Sequence, residues 1–299
     1  MNNLAIGKKL SLVIAIQLAL VSQVSAADKD SNTAADADKI SVNDSYIEKM
    51  QIIGHDARLS KQTGSATLID ELELEQFKFD DINRVLYSVP GVNIREEDGF
   101  GLRPNIGFRG ATPERSKKIT VMEDGILIGP APYSAPAAYY FPMMSKMTSL
   151  EVFKGPAATK YGPNTVAGAL NMNTRSVPDA QEGMIDLSLG TDGYTKVHGF
   201  YGNTFGDLGV LIEGINMQSD GFKTLDSVND NGSADTGFDK NDVMAKFRYD
   251  LSVGDTNHTF GLKLSYADEV SDETYLGLTD RDFDADEDRR YGLSDIDQM

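Results

Sequence analysis

The sequence lacks cysteine and tryptophan, and it contains only three histidines among its 299 residues. The absence of cysteine excludes disulfides and thiolate metal sites. His55, His198 and His258 lie too far apart in sequence to suggest a histidine metal centre. No apolar run reaches the length of a transmembrane helix. The formal net charge of −18 argues against a nucleic-acid partner. We therefore expect no metal site, no cofactor and no nucleic-acid binding.

Catalytic motifs are also missing. The sequence has no Gly-x-Ser-x-Gly nucleophile elbow. Gly99 and Gly101 lack the third glycine of a nucleotide-binding loop, and no Gly-Lys-Ser/Thr follows them. The acidic run 280–288 differs from a calcium loop, because Ala285 replaces the turn glycine and Tyr291 replaces the bidentate glutamate. The sequence therefore does not support an enzyme, and the acidic run predicts a solvated loop.

The N-terminus has the composition of an export signal. Lys8 and Lys9 precede an apolar segment, residues 10–21, and Val24-Ser25-Ala26 fits a small-residue cleavage site. A short membrane anchor is the alternative, but the apolar segment is shorter than a membrane span requires. We therefore predict a signal peptide at residues 1–26 and a mature protein that works outside the cytoplasm.

A polar segment follows the predicted cleavage site. Residues 27–45 are rich in Asp, Ala, Ser and Asn and have little to bury, which predicts a flexible tail. A short apolar patch containing Tyr46, Ile52 and Ile53 comes next. An extended patch in such a tail suits pairing with the sheet edge of a partner protein. The alternative is an ordinary first strand of the following domain.

Residues 60–178 have the mixed pattern of a small α+β globule. Asp80 is placed to cap a short helix that Pro90-Gly91 would end. Apolar residues alternate on both sides of Asp124-Gly125, which predicts a hairpin. The predicted strands are residues 119–121, 126–128, 150–153 and 169–174.

After Pro178 the sequence becomes a series of alternating segments of about ten residues. In a soluble sandwich the apolar face would form the core, whereas in a membrane barrel it would meet lipid and the charged face would meet the lumen. The pattern alone leaves both open; unequal connector lengths and the export signal favour the barrel. The clearest apolar faces are Val243, Ala245, Phe247, Tyr249 and Leu251, opposite Lys246 and Arg248, and Phe260, Leu262, Leu264 and Tyr266, opposite Lys263.

Five segments between residues 80 and 178 resemble, in order and spacing, the plug domain of TonB-dependent outer-membrane receptors. Each is weak alone, but together they are specific. The resemblance implies an α+β plug domain, a four-stranded sheet with short helices. It also implies that the plug is followed by the first strands, about five, of a 22-stranded antiparallel transmembrane β-barrel. The segments are RVLYSVPGV (84–92), GFRG (107–110), TVMEDGI (120–126), LEVFKGP (150–156) and YGPNTVAGALNMNTR (161–175).

The resemblance also orders the chain into regions. It implies a signal peptide at 1–26, a periplasmic tail with a TonB box at 27–57, a plug at 58–178 and the N-terminal part of a barrel at 179–299. An open five-stranded sheet would leave unpaired edges in a membrane, so we expect the sequence to be part of a longer one. The implied partners are TonB, with its inner-membrane energising complex, and outer-membrane lipid. The expected box is Glu48, Lys49, Met50, Gln51, Ile52 and Ile53.

Four plug positions stand out within these motifs. Arg109 of the GFRG segment is expected to reach a carboxylate, in the plug or on the barrel wall, in a structural or a gating role. Gly110 lies beside it in the same motif. Gly162 and Gly168 are expected to serve the backbone conformation rather than a ligand.

Within the family, the sequence is most similar to ferric citrate and other ferric siderophore receptors. Ala131-Pro132-Tyr133 and the segment YLGLTDRDFDAD (275–286) carry this similarity. The implied function is energised import of a ferric chelate across the Gram-negative outer membrane. The alternatives are a receptor of the same family for another scarce nutrient, a passive porin, and a periplasmic binding or adhesion module. Because ferric citrate is anionic, the expected ligand-binding residues at the plug apex are Arg103, Arg115, Lys117 and Tyr133.

Overall fold

The structure is a computed structural model. The described residues are 64–128, 135, 137, 140–162, 165–226, 236–254, 256–272 and 277–291. The predicted signal peptide, the tail, the TonB box and Tyr133 lie outside these ranges. Among the helices within them, none is long and apolar enough to cross a membrane.

Two short helices begin at aspartate caps. Helix α1 (Glu71–Phe77) starts after Asp70, whose carboxylate accepts the Glu73 N–H. Helix α2 (Ile82–Leu86) starts after Asp81, whose carboxylate accepts the Asn83 N–H at 2.8 Å. The helix itself was predicted, but the predicted cap, Asp80, was wrong by one residue. The carboxylate of Asp80 instead contacts a neighbouring sheet.

The first sheet has the order β1-β6-β7-β4-β5 and forms the centre of the plug. Strands β4 and β7 are parallel and the other neighbours are antiparallel. The four predicted strands correspond to β4, β5, β6 and β7, whereas β1 was not predicted and makes the sheet five-stranded. The predicted hairpin turns at Asp124 and Gly125, which both have positive φ. The strands are β1 (Ser65–Ile69), β4 (Ile119–Glu123), β5 (Ile126–Leu127), β6 (Met147–Lys154) and β7 (Gly168–Thr174).

The plug core lies between this sheet and helix α2. The hairpin of β2 (Val92–Arg95) and β3 (Asn105–Phe108) contributes Phe108 to it. Burial of a Leu or Phe side chain stabilises a fold by about 1.5–3 kcal/mol. Several core side chains are fully buried, so they hold the plug as one packed unit. They include Leu86, Ile106, Ile119, Leu150 and Leu170.

The second sheet is an antiparallel meander of five strands in the order β8-β9-β10-β12-β13, and we call it the wall sheet. The predicted number of barrel strands is therefore confirmed, and the described strands form an open sheet rather than a closed barrel. Its connectors are short at one end, as at Gly206-Asp207, and long at the other, as at 220–237. The strands are β8 (Glu182–Leu189), β9 (Thr195–Phe205), β10 (Leu208–Ser219), β12 (Phe238–Val253) and β13 (Thr256–Ser271).

The long connectors carry structure of their own. Strands β11 (Thr224–Leu225) and β14 (Arg289–Arg290) form a short parallel pair. Helix α3 (Asp280–Ala285) begins after Thr279, which caps the Asp282 N–H. The acidic run 280–288 was predicted as a solvated loop; it is exposed, but its first half is helical because this cap starts a turn.

The wall sheet exposes its apolar face and buries its charged face. Leu189 is 85% exposed and Tyr266 is 67% exposed, whereas Lys240 and Asp242 are each only 3% exposed. A soluble sandwich would bury the opposite face, so this arrangement is the one expected of a barrel. The predicted alternation of β12 and β13 is confirmed. Other exposed apolar residues are Ile185, Leu187, Ile212, Val243, Tyr249, Phe260, Leu262 and Leu264.

Strand β10 breaks this alternation for a physical reason. Its inward residues Ile215 and Met217 are apolar and pack with Phe238 against Leu102 and Met143 of the plug. Strand β10 therefore has apolar residues on both faces, and its inward apolar residues are the place where the plug contacts the wall without charges.

Candidate functional site: the interface between plug and wall

Asp80 is a hydrogen-bond hub between the plug and the first wall hairpin. Its carboxylate accepts hydrogen bonds from the Ser145 hydroxyl at 2.5 Å, the Tyr194 hydroxyl at 2.5 Å and the Lys196 ammonium at 2.8 and 3.0 Å. Ser145 belongs to the plug, whereas Tyr194 and Lys196 belong to the wall. This one carboxylate therefore joins two plug segments to two wall residues.

A charge cluster joins the middle of the plug to strands β12 and β13. The Lys263 ammonium donates to Glu123 and to Asp124, at 2.5 Å each. The Lys246 ammonium lies 3.3 Å from the same Asp124 carboxylate. Burial disfavours the ionised Asp124, yet the ammonium groups of Lys246 and Lys263 hold the pKa of this carboxyl below its usual value. Asp124 also accepts hydrogen bonds from the Thr174 N–H and hydroxyl.

The same cluster also contains one lysine of the plug that pairs with a carboxylate of the wall. Lys146 of the plug donates to Asp242 of the wall at 2.6 Å and lies 3.4 Å from Glu123. Burial opposes its charge, but Glu123 and Asp242 raise the pKa of the Lys146 ammonium. Since buried charges are tolerated only when they are paired and hydrogen-bonded, plug and wall supply each other's counter-ions.

Arg103 lies in a third contact, near the long-connector end. Its guanidinium donates to Glu269 at 2.5 Å, and Glu269 also lies 2.9 Å from the Lys240 ammonium. The Lys240 ammonium donates to the Phe141 carbonyl at 2.7 Å. Arg103 was predicted as a ligand-binding residue at the plug apex, but it is buried and pairs with a wall carboxylate.

The other predicted apical cations have partners within the plug. Arg115 forms a two-pronged ion pair with Glu97, at 2.9 and 3.0 Å. Lys117 donates to Glu114 at 2.5 Å. Two carboxylates of the plug, Glu97 and Glu114, thus neutralise two of the cations that were predicted to bind an anionic ligand. The sequence alone did not indicate these two pairs. The structure brings neither residue to Arg103 through a hydrogen bond or an ion pair in the described ranges.

Arg109 sits on a strained turn. Its φ is 50°, its N–H donates to the Gly91 carbonyl at 2.9 Å, and a Cβ at Gly155 would lie 2.8 Å from its Nη1 atom. The carboxylate expected for Arg109 is not found among the described residues, because the side chain is exposed beside Gly155. Burial and the neighbouring Arg109 charge lower the pKa of Lys154.

The three glycines singled out from the sequence differ in what they allow. Gly110 and Gly162 have φ of +81° and +107°, with little around them. At Gly168, a Cβ would lie 2.1 Å from the Phe153 carbonyl oxygen and 2.6 Å from the Phe108 ring. Gly168 therefore permits close contact between β7, β6 and β3.

Asp81 is a half-buried carboxyl at the start of helix α2, within the plug. Burial raises the pKa of the Asp81 carboxyl to about 6, the capped Asn83 N–H opposes the shift, and Asp98 and Glu96 add to it. Arg84 lies 4.0 Å away. Because the pKa is raised in the folded state, the stability contributed is complete below the ordinary value near 4 and is lost as the pH rises to about 6.

Asp81→Asn is expected to stabilise the plug by about 1–2 kcal/mol at pH 8 and by less at pH 5, because asparagine also caps a helix but carries no charge. The measurement is the urea midpoint at which a cysteine introduced at Val85 becomes reactive in the full-length protein. Asp70→Asn, at the cap of α1, is the control, and it should shift the urea midpoint by the same amount at pH 8 and at pH 5. A gain for Asp81→Asn that does not grow with pH would contradict the prediction.

Comparisons with known proteins identify this architecture. The family model of the TonB-dependent receptor plug domain matches residues 58–169. The unliganded ferric citrate transporter FecA superposes with a TM-score of 0.63 at 25% identity, over 79% of this chain and 36% of that one. The ferric yersiniabactin uptake receptor FyuA from Yersinia pestis gives a TM-score of 0.59 at 20% identity, over 71% and 33% of the chains, and shows the fold.

Curated relatives carry another name. The vitamin B12 transporter BtuB of Vibrio vulnificus is 25% identical over 169 residues, 56% of this chain and 27% of the relative. BtuB of Photobacterium profundum is 26% identical over 203 residues, 68% of this chain and 30% of the relative. The chain thus spans less than a third of these relatives. Residues 58–169 therefore form a TonB-dependent receptor plug domain, and a five-stranded antiparallel sheet follows it, as in the TonB-dependent receptor structures that the chain resembles.

Proposed function

We propose that this protein imports a scarce nutrient across the outer membrane by a TonB-dependent mechanism, and that the nutrient is a ferric chelate. The observation that carries this proposal is the wall sheet, whose apolar face is exposed and whose charged face is closed by the plug. An apolar outer face suits lipid. A solute could pass along the charged face of this wall only if the plug contacts were displaced. Displacing them would require work from a partner.

The partner would be TonB, docking in the periplasm on residues 48–53. A box in an extended tail offers backbone groups for pairing with a sheet edge, and such pairing tolerates varied side chains. The export signal at 1–26 supports delivery beyond the inner membrane, and the plug at 58–178 would follow the box directly. Outer-membrane lipid would then cover the exposed face of the wall sheet.

The similarity to FecA supports a ferric chelate as the ligand. Arg103, Arg115 and Lys117 pair with Glu269, Glu97 and Glu114, so citrate would compete with these carboxylates for the three cations. A corrinoid is the second candidate, since the curated relatives are vitamin B12 transporters.

The test is uptake by cells that carry the full-length gene as their only receptor for the nutrient. Radiolabelled iron as ferric citrate and radiolabelled cyanocobalamin are supplied in separate assays. Ile52→Pro should abolish uptake of the true substrate, because proline removes an N–H needed for strand pairing. Ala35→Pro, in the polar tail, is the matched control and should transport normally.

Each outcome has a definite meaning. If Ile52→Pro abolishes iron uptake and Ala35→Pro does not, the result supports energised import of ferric citrate. The same result with cyanocobalamin selects the corrinoid. Equal uptake by both variants would refute the box or the energy requirement, and no uptake of either compound by correctly inserted protein would exclude both substrates.

A further inference from the structure

The plug loop 98–103 is held in one conformation by its own first residue. The Asp98 carboxylate accepts the N–H groups of Phe100 and Gly101 at 2.6 Å each, and that of Arg103 at 2.7 Å. Three bonds from one buried carboxylate leave this loop little freedom. The loop therefore presents its side chains in fixed directions.

Those side chains contact the wall sheet and one long connector. The Phe100 ring packs on Phe238 of β12, with 4.9 Å between centroids, and on Phe222, with 5.5 Å. A Cβ at Gly99 would lie 2.9 Å from the Phe222 ring, so that ring rests directly on the loop backbone. Phe222 belongs to the long connector after β10, so it links the plug to the long-connector end of the wall sheet.

This connector is fastened to the next long connector. The Thr224 N–H donates to the Asp288 carbonyl and the Asp226 N–H to the Arg290 carbonyl, both at 2.8 Å. The Arg289 guanidinium donates to the carboxylates of Asp226 at 2.6 Å and Asp282 at 2.9 Å. We call residues 224–226 and 288–290 the clasp.

Arg289 has a particular place in the clasp. It comes from β14, Asp226 follows β11, and Asp282 lies in helix α3, so one guanidinium joins three elements of two connectors. The planar guanidinium of an arginine has several N–H donors and can bind two carboxylates at once better than the ammonium of a lysine can. The described parts of the two connectors, 220–226 and 277–291, are therefore expected to move as one body.

We propose that Phe222 seats this clasped pair of connectors on plug loop 98–103, so that opening the clasp uncovers the loop while its internal Asp98 hydrogen bonds remain. Phe222 and Arg289 are then positioning residues acting in series. Movement of the long connectors is transmitted to the plug through one aromatic contact, and movement of the plug loop is transmitted back to the clasp. These contacts link connector and plug loop whichever substrate is transported.

The test uses the absence of cysteine from this chain. Leu102→Cys places a thiol at a position that is 1% exposed, in the cluster in which Phe100 of the loop packs on Phe238. Its labelling rate with a maleimide is measured in the full-length protein purified in detergent, so transport is not involved. Arg289→Ala and Phe222→Ala should each raise the rate by at least about fivefold, the change expected when opening no longer breaks a typical hydrogen bond or packing contact.

The matched control is Arg281→Ala, which removes an exposed arginine of α3 without touching the clasp. It should label at the reference rate. If the two residues act in series, the Phe222→Ala/Arg289→Ala double variant should label no faster than the faster single variant. Heat-modifiable gel migration shows which variants hold a folded barrel; Phe222→Leu replaces Phe222→Ala, and Arg289→Gln replaces Arg289→Ala, if the alanine variant fails to fold.

Two results would overturn the proposal. A reference rate for folded Arg289→Ala would show that the clasp does not hold the plug loop. Multiplied rates in the double variant would show that Phe222 and Arg289 act independently. Loss of transport in the earlier uptake test affects neither result, because this labelling experiment measures conformation only.

Discussion

Asp124→Ala is expected to weaken the contact between plug and wall by about 2–3 kcal/mol, because Lys246 loses its paired carboxylate while Lys263 keeps Glu123. Asp124 is 5% exposed, and its carboxylate faces the ammonium groups of Lys246 and Lys263. The measurement is the urea midpoint at which a cysteine introduced at Val121, in the adjoining strand, becomes reactive in the full-length protein.

The control for Asp124→Ala is Asp179→Ala. Asp179 pairs with Arg248 but its side chain is 90% exposed, and an exposed pair contributes no more than about 1 kcal/mol. Equal midpoints for the two variants would show that the buried cluster does not hold the plug.

Acid should have a related effect on this cluster. The pKa of Asp124 is lowered in the folded protein, so its contribution is complete above the ordinary value near 4 and is lost as the pH falls below it. Asp124→Asn keeps a residue that tolerates the positive φ of this turn. The variant should show a smaller drop in urea midpoint between pH 5 and pH 3 than the unaltered protein does.

Gly168→Ala is expected to prevent the plug from folding, at a cost of more than about 4 kcal/mol. The new methyl group would lie 2.1 Å from a backbone oxygen of Phe153, which cannot move without breaking the pairing of β6 and β7. Protease sensitivity of the plug in outer-membrane preparations measures the loss.

Two further glycine variants complete this series. Gly261→Ala, in β13, meets nothing within 4 Å and should leave the plug intact. Gly110→Ala has equal space but a φ of +81°, so it should cost about 1–2 kcal/mol. A protease-resistant plug in Gly168→Ala would mean that β6 and β7 separate more easily than their pairing suggests.

Local and periodic signals explain what the sequence predicted well. Helix α2 is marked by apolar spacing, although it ends at Leu86, before the Pro90-Gly91 step that was predicted to end it. The β4–β5 hairpin is marked by Asp124-Gly125 between alternating residues. Strands β12 and β13 follow a strict alternation because one face is apolar throughout. Each signal lies within about 15 residues of chain, where the backbone geometry itself sets the pattern.

Long-range partners explain what the sequence missed. Lys263 and Glu123 are 140 residues apart, and Asp80 and Lys196 are 116 apart. No spacing rule predicts such pairs, so Asp80 was taken for a helix cap. The pairing of Arg103 with Glu269, on the far strand of the wall, was not predicted either, and the ligand-binding role of Arg103 stays a prediction.

The inward lysines of the wall sheet make that sheet depend on the plug. Lys196, Lys246 and Lys263 pair with carboxylates of the plug. Without the plug, these ammonium groups would keep their water, and docking of the plug has to remove it. The wall sheet is therefore a template that is electrostatically complete only when the plug lies against it.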